Sequence, residues 1–154
     1  MEAIMIRQAV IEDIKDLITL RMALIREANH LPEDKDLKAL EEKIAVYLKD
    51  HLGKAFFAWV VEEDGQLIAS SGLNLFSKPP TYTNLTGKEA FIMNIYVMPA
   101  FRGKGYATAL VTEIIKYLKG TDYKKVSLVA TEAGRFVYDK IGFKTKTDVM
   151  EYSL

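Results

Sequence analysis

Cysteine is absent from the 154 residues. No disulfide scaffold, thiolate nucleophile or cysteine-ligated metal site is therefore available, and no metal is expected. A chain without cysteine also suits a reducing, cytoplasmic setting. Net charge is absent too: Lys and Arg together number 21, and so do Asp and Glu. A protein built to hold nucleic acid needs a basic surface to neutralise phosphates, so no nucleic-acid partner is expected. No apolar run approaches the roughly 20 residues of a membrane span. The opening Met1-Glu2-Ala3-Ile4-Met5-Ile6-Arg7 lacks the charged and apolar regions of a signal peptide, so no membrane partner is expected either. In that setting the sequon Asn84-Leu85-Thr86 reads as chance. Histidine is scarce: His30 follows the first helical pattern and His51 closes the second, and both read as helix-end residues rather than catalysts. Repeats, low-complexity tracts and long linkers are missing, so residues 1–154 read as one domain, a monomer or a homodimer.

What is present is a core and a clear order of elements. Apolar residues make up 49% of the chain, enough for one well-filled interior. Ala3 to Arg7 reads as a short strand. Ile11, Ile14, Ile18, Met22 and Ile25, with Leu17 and Leu24 beside them, predict a helix from about Ile11 to Ala28. Leu37, Leu40, Ile44, Tyr47 and Leu48 predict a second from about Glu33 to Leu52, with Pro32 at its start and Gly53 at its end. Phe56 to Glu62 and Gln66 to Leu75 are extended, and Asp64-Gly65 between them is a strong hairpin signal. The loop from Ser77 to Lys88 leads to Ala90–Met98, whose nearly continuous apolar run suits a central strand buried on both faces. Ala107, Leu110, Val111, Ile114, Ile115 and Leu118 form a third helical stripe, which Gly120 stops. Lys125 to Ala130 reads as a strand and Glu132 to Lys140 as a short helix ended by Gly142. Phe143 to Thr147 and Val149 to Ser153 read as a closing strand pair. The order β-α-α-β-β-β-α-β-α-β-β gives an α/β (α+β) fold: a mixed, mainly antiparallel sheet with helices on both faces.

The chemistry is concentrated where the Ala90–Met98 strand meets the next helix, through Pro99-Ala100-Phe101-Arg102-Gly103-Lys104-Gly105-Tyr106-Ala107. A strand that enters a two-glycine turn and then a helix aims several backbone N–H groups at one point, at the positive end of the helix dipole. Glycine leaves room for a phosphate, and Arg102 and Lys104 add positive charge. From physics alone this segment suits a phosphate-bearing ligand, or it is a plain connecting turn. It is neither a P-loop, because no Gly-Lys-Ser/Thr follows, nor Gly-x-Gly-x-x-Gly, because position 108 is Thr.

Taken together, three elements resemble the GNAT acetyltransferases. Arg102-Gly103-Lys104-Gly105-Tyr106-Ala107 fits the family's Arg/Gln-x-x-Gly-x-Gly/Ala signature, Ile95-x-Val97-x-Pro99 precedes it, and Tyr138-Asp139-Lys140-Ile141-Gly142-Phe143 fits Tyr-x-x-x-Gly-Phe. The order of elements agrees along the whole chain. The resemblance implies acetyl-CoA as co-substrate. Backbone groups of the strand through Ile95, Tyr96 and Val97 would bond the pantetheine arm, which enters a gap where that strand splays from Lys125–Ala130. Arg102, Gly103, Lys104, Gly105, Tyr106, Ala107 and Thr108 would cradle the pyrophosphate. Tyr138 would protonate the departing thiolate, since a phenol with a pKa near 10 stays protonated at neutral pH.

The chain departs from the family at three positions. Thr131 and Gly134 stand where members often have Asn and Ala, and Asn94 stands where some have a Glu base. Asn94, Thr131 and Glu132 are thus secondary candidates for the site.

The implied reaction is direct attack of a neutral amine on the thioester, with the oxyanion stabilised by a backbone N–H near Ile95 or Val97. No base is named: Glu62, Glu63, Glu89 and Glu132 read as surface carboxylates, and a water chain serves equally. A small-molecule amine is the expected acceptor, in a groove for which Tyr47, Phe76, Tyr82 and Tyr152 are candidate linings. Acetylation of a protein N-terminus or lysine, and a non-catalytic CoA sensor, stand as alternatives.

Overall fold

The computed structural model describes residues 4–146 and 148–154. Strand β1 (Ile6–Gln8) leads through a 3-10 turn (Ile11–Asp13) into helices α1 (Ile14–Ala28) and α2 (Lys38–His51). Strands β2 (Phe56–Glu63), β3 (Gln66–Ser77) and β4 (Lys88–Val97) come next, then helix α3 (Tyr106–Leu118), strand β5 (Lys125–Leu128) and helix α4 (Glu132–Ile141). The five strands form one sheet in sequence order, antiparallel from β1 to β4, with β5 parallel to β4. Asp64 and Gly65 both adopt positive φ, 51° and 77°, as a two-residue hairpin turn between twisted strands requires.

Alternation along β2 explains the layering. Trp59 and Val61 join Ile68, Leu73 and Ile92 under Leu110, Val111, Ile114 and Leu118 of α3. Phe56, Ala58 and Val60 face the other way, onto Ile14, Leu17 and Leu20 of α1 and Leu48 of α2. Tyr138 of α4 packs on the α3 side. Each face of the sheet therefore carries one helix pair, and each cluster removes several large side chains from water, at roughly 1.5–3 kcal/mol apiece.

The first strand is Ile6–Gln8 rather than Ala3 to Arg7, and the strand expected from Lys125 to Ala130 ends at Leu128. Four further differences from the sequence reading each have a local cause. Helix α1 starts at Ile14, because Ile11 sits in the preceding 3-10 turn and is 68% exposed. Helix α2 starts at Lys38 rather than Glu33. The Arg26 guanidinium binds the Pro32 and Lys35 carbonyls at 3.1 and 3.0 Å and holds that stretch as a connector, while Asp36 Oδ1 accepts from the Lys38 N–H at 3.0 Å. Strand β4 is closed at Ala90 and Ile92, but Met93, Asn94, Ile95 and Val97 are only half-buried, so burial on both faces holds for its first half alone. The closing strand pair is absent among the described residues; Thr147 lies outside them. The apolar alternation there is real, but Val149 and Tyr152 are 80% and 89% exposed. A two-stranded pair with neither face covered is marginal in water. Ala3 of the expected first strand also lies outside the described residues.

Gly72 is fixed by packing. An added Cβ would lie 2.5 Å from Phe56 Cζ and 3.3 Å from the Met93 carbonyl oxygen. Gly72→Ala should therefore lower stability by about 1–3 kcal/mol, the usual cost of overpacking. Urea unfolding checks this, and an unchanged midpoint would contradict it.

Candidate active site

The site begins where the β4–β5 pairing stops. β5 pairs with β4 only from Glu89↔Lys125 to Ile92↔Leu128, whereas β4 runs on to Val97 against β3 alone. The second half of β4 therefore turns its backbone groups toward a gap rather than toward β5. A bulge lies at the branch: Ser70 pairs with Tyr96 and Gly72 with Met93, two steps on β3 against three on β4. The extra residue takes positive φ, 59° at Asn94, a region that Asn tolerates better than most residues.

Beyond β4 the chain makes a 3-10 turn over Pro99–Phe101 and then reaches Gly103 and Gly105, with φ of 79° and 84°. Nothing lies within 4 Å of a Cβ built on either glycine, so the conformation demands glycine here and crowding does not. Gly105 is the N-cap of α3 and offers no side-chain cap. The first backbone bond onto it comes from the Ala109 N–H, at 3.0 Å. The N–H groups of Tyr106, Ala107 and Thr108 thus sit in an uncapped first turn that also holds no acidic residue. These amides and the open space above the glycines fit a diphosphate.

Helix α4 is capped in the ordinary way: Thr131 Oγ1 accepts from the Gly134 N–H at 3.1 Å. Thr131 therefore has a structural task, and Glu132 beside it is exposed. Gly134 lies under the Tyr138 ring, where an added Cβ would be 3.2 Å from Tyr138 Cε2. The ring meets Phe143 edge-on at 6.2 Å. Burial pushes the Tyr138 phenol above its ordinary value.

On the opposite face, between α1, α2 and the sheet, lies a cavity of about 380 Å³. Tyr47, Phe56, Ser70, Met93 and Asn94 are among its walls. Met93 and Asn94 are also the first β4 residues past the end of the β5 pairing. Cavity and gap thus meet at the same two residues.

The acetyltransferase (GNAT) family model matches residues 19–143. This chain belongs to the GNAT family. A predicted acetyltransferase from Clostridium acetobutylicum, solved with acetyl-CoA, is 30% identical over 98% of this chain and 96% of its own, with a TM-score of 0.86. A GCN5-related N-acetyltransferase from Ralstonia eutropha JMP134 is 28% identical over 98% of this chain and 99% of its own, with a TM-score of 0.81. A glucosamine 6-phosphate N-acetyltransferase from Trypanosoma brucei brucei is 22% identical over 148 residues, which span 90% of this chain and 99% of that protein. GNAT enzymes use acetyl-CoA, and this chain shares their fold.

Within the GNAT frame, Arg102 does something its motif does not announce. Its Nη2 binds Glu27 of α1 at 2.8 Å, its Nε donates to the Val97 carbonyl at 2.8 Å, and the guanidinium lies 5.4 Å from the centre of the Tyr96 ring. Arg102 fastens α1 to the end of β4, and in turn it holds the Glu27 carboxyl below the usual range. Lys104 projects over Phe101, 5.6 Å from the ring centre. The Tyr96 side chain is buried on the α1 side, so only its backbone faces the gap side of the strand.

Among the acidic candidates, Glu89 is buried, 6% exposed, and not the surface carboxylate expected, because β4 carries it into the sheet. It is tied to Lys78 and Lys125 at 3.2 and 3.8 Å, and Glu62 to Arg7 at 3.2 Å. Glu89 also stands five residues from Asn94, roughly 16 Å along an extended strand. Tyr47 lines the cavity, but Phe76, Tyr82 and Tyr152 do not, and Tyr82 is 98% exposed. Sequence reasoning missed Arg21 and Lys43, which also line the cavity. The available signal was a cation one turn after Leu17, on the inward side of α1.

The Tyr138 phenol should keep its proton to higher pH than an exposed tyrosine. In an ultraviolet difference titration of wild type against Tyr138→Phe, the missing phenol should ionise above pH ~10. Loss of a component that titrates below that value would contradict the burial.

Proposed function

We propose that the protein is an acetyl-CoA-dependent N-acetyltransferase that acts on the primary amine of a small molecule by direct transfer, with Tyr138 as general acid. The observation that carries this reading is the meeting of cavity and gap at Met93 and Asn94. An amine lodged in the cavity reaches a thioester in the gap without a covalent enzyme intermediate. The amine nitrogen forms its bond to the acetyl carbon as the C=O electron pair moves onto oxygen. When that oxyanion collapses, the C–S bond breaks with its electron pair on sulfur. The Tyr138 hydroxyl gives that sulfur a proton, the surplus proton on nitrogen leaves to solvent, and solvent restores the phenol. A raised phenol pKa keeps Tyr138 in the donating form throughout the neutral range.

The pyrophosphate belongs, in this reading, with the amides of Gly103 to Thr108, and the pantetheine arm with the backbone of Ile95, Tyr96 and Val97. Backbone N–H groups of that strand would meet the oxyanion. A cavity of about 380 Å³ is the size of a small-metabolite site and favours a free amine over a protein N-terminus or lysine. The activity of the Trypanosoma brucei relative, acetylation of an amino-sugar phosphate, points the same way. A cytoplasmic setting is part of the reading and rests on a chain without cysteine.

Thiol release over a panel of primary amines tests the proposal. Tyr138→Phe should lower kcat by about 10²–10⁴-fold, the usual worth of a positioned acid, and leave KM for acetyl-CoA within about threefold. Undiminished turnover would remove Tyr138 from the chemistry. CoA binding without turnover on any amine would favour a sensor.

A further inference from the structure

The charges around the cavity are all of one sign. Its ionisable lining is Arg21, Lys43 and Tyr47, and neither Asp nor Glu contributes to it. Other cations that reach the sheet have a carboxylate: Arg7 meets Asp13 and Glu62, Arg102 meets Glu27, and Lys78 and Lys125 share Glu89. Arg21 and Lys43 form no ion pair among the described residues. Their own helices supply none either. The residues three and four away from Arg21 are Leu17, Ile18, Leu24 and Ile25, and those around Lys43 are Ala39, Leu40, Val46 and Tyr47.

Arg21 is half-buried, and among the described residues its side chain has one hydrogen-bond partner, Asn94 Oδ1, which accepts from Nη1. A guanidinium carries five N–H donors in a fork that matches a carboxylate or a phosphate, so most of its capacity is free. A partly desolvated cation without a counter-ion is costly to hold and is relieved by a bound anion. Ser70 adds a hydroxyl to the same wall.

We propose that the acceptor is an amine that also carries an anionic group, a carboxylate or a phosphate, and that Arg21 and Lys43 hold this group while the amine faces Met93 and Asn94. The proposal rests on the acetyltransferase reading and narrows it. Polyamines and other polycations are disfavoured by two cations with no acidic residue between them. Because Arg21 already touches Asn94 at the bulge, amine and anion lie close together in the acceptor, as in an amino acid or an amino-sugar phosphate.

Matched pairs of acceptors test the idea by thiol release: amino acids against their carboxamides, and amino-sugar phosphates against the free amino sugars. The first pair reads for carboxylate and the second for phosphate. In at least one pair the anionic member should show a kcat/KM at least tenfold higher. Arg21→Gln, which keeps a donor for Asn94, should cut that preference below threefold through KM for the amine and leave KM for acetyl-CoA unchanged. A preference for the neutral members, or one that Arg21→Gln leaves intact, overturns the proposal. A second arm does not need turnover. With CoA present to fill the α3 amides, inorganic phosphate should raise the melting temperature of wild type and not that of the Arg21→Gln/Lys43→Gln variant. Equal shifts in the two proteins overturn the anion site. Failure of every amine with the phosphate shift intact sinks the acetyltransferase reading instead and spares the anion site.

Discussion

A sheet in which one strand outruns its neighbour is the constraint on which this molecule depends. β4 keeps β3 along its length but shares only four register pairs with β5. In an open sheet, a strand half with no neighbour on one side exposes a row of N–H and C=O groups there that need partners. The bulge at Asn94 fixes where this happens by adding a residue to β4 and twisting the strand beyond it. Gap, cavity and glycine turn all descend from that branch. The gap is the missing pairing, the cavity meets the sheet at Met93 and Asn94, and the turn begins where β4 ends.

The contacts around the branch are better understood as positioning than as stability. The Arg102–Glu27 pair is 43% and 50% exposed, and such surface pairs contribute little once solvent screens them. Its value lies in joining α1 to the end of β4, so that the cavity wall and the glycine turn keep a fixed relation. The same economy holds at α4. Thr131 caps the helix, Gly134 admits the Tyr138 ring closely, and Phe143 meets that ring from beyond Gly142. Two departures from the family pattern, Thr131 and Gly134, and one residue of the motif itself, Phe143, thus set one side chain.

Much of this was legible in the sequence because it is written in local terms. Asp64-Gly65 specifies its turn by the φ values it permits, and the α3 stripe from Leu110 to Leu118 specifies a buried face by its period. The Gly103 and Gly105 turn is equally local, since positive φ at both sites needs no distant partner. What the sequence hides is set by contacts between distant segments. Asn94 reads as one polar residue in an apolar run, and only the pairing on its two sides makes it a bulge. Arg21 lies 73 positions from Asn94, and nothing near either residue announces their contact. The tail fails for the opposite reason. The alternation of Val149 and Tyr152 suits a strand, yet no surface among the described residues covers it.

The central claim is that uncapped main-chain amides at the start of α3 grip the diphosphate of CoA. Backbone amide NMR on the 15N-labelled protein tests it most directly, by titration first with CoA and then with pantetheine, which has the arm without the diphosphate. The account predicts that CoA gives its largest amide shifts at Gly103, Gly105, Tyr106, Ala107 and Thr108, and that pantetheine leaves those signals in place. Equal perturbation by the two ligands, or CoA shifts confined to other segments, would contradict it.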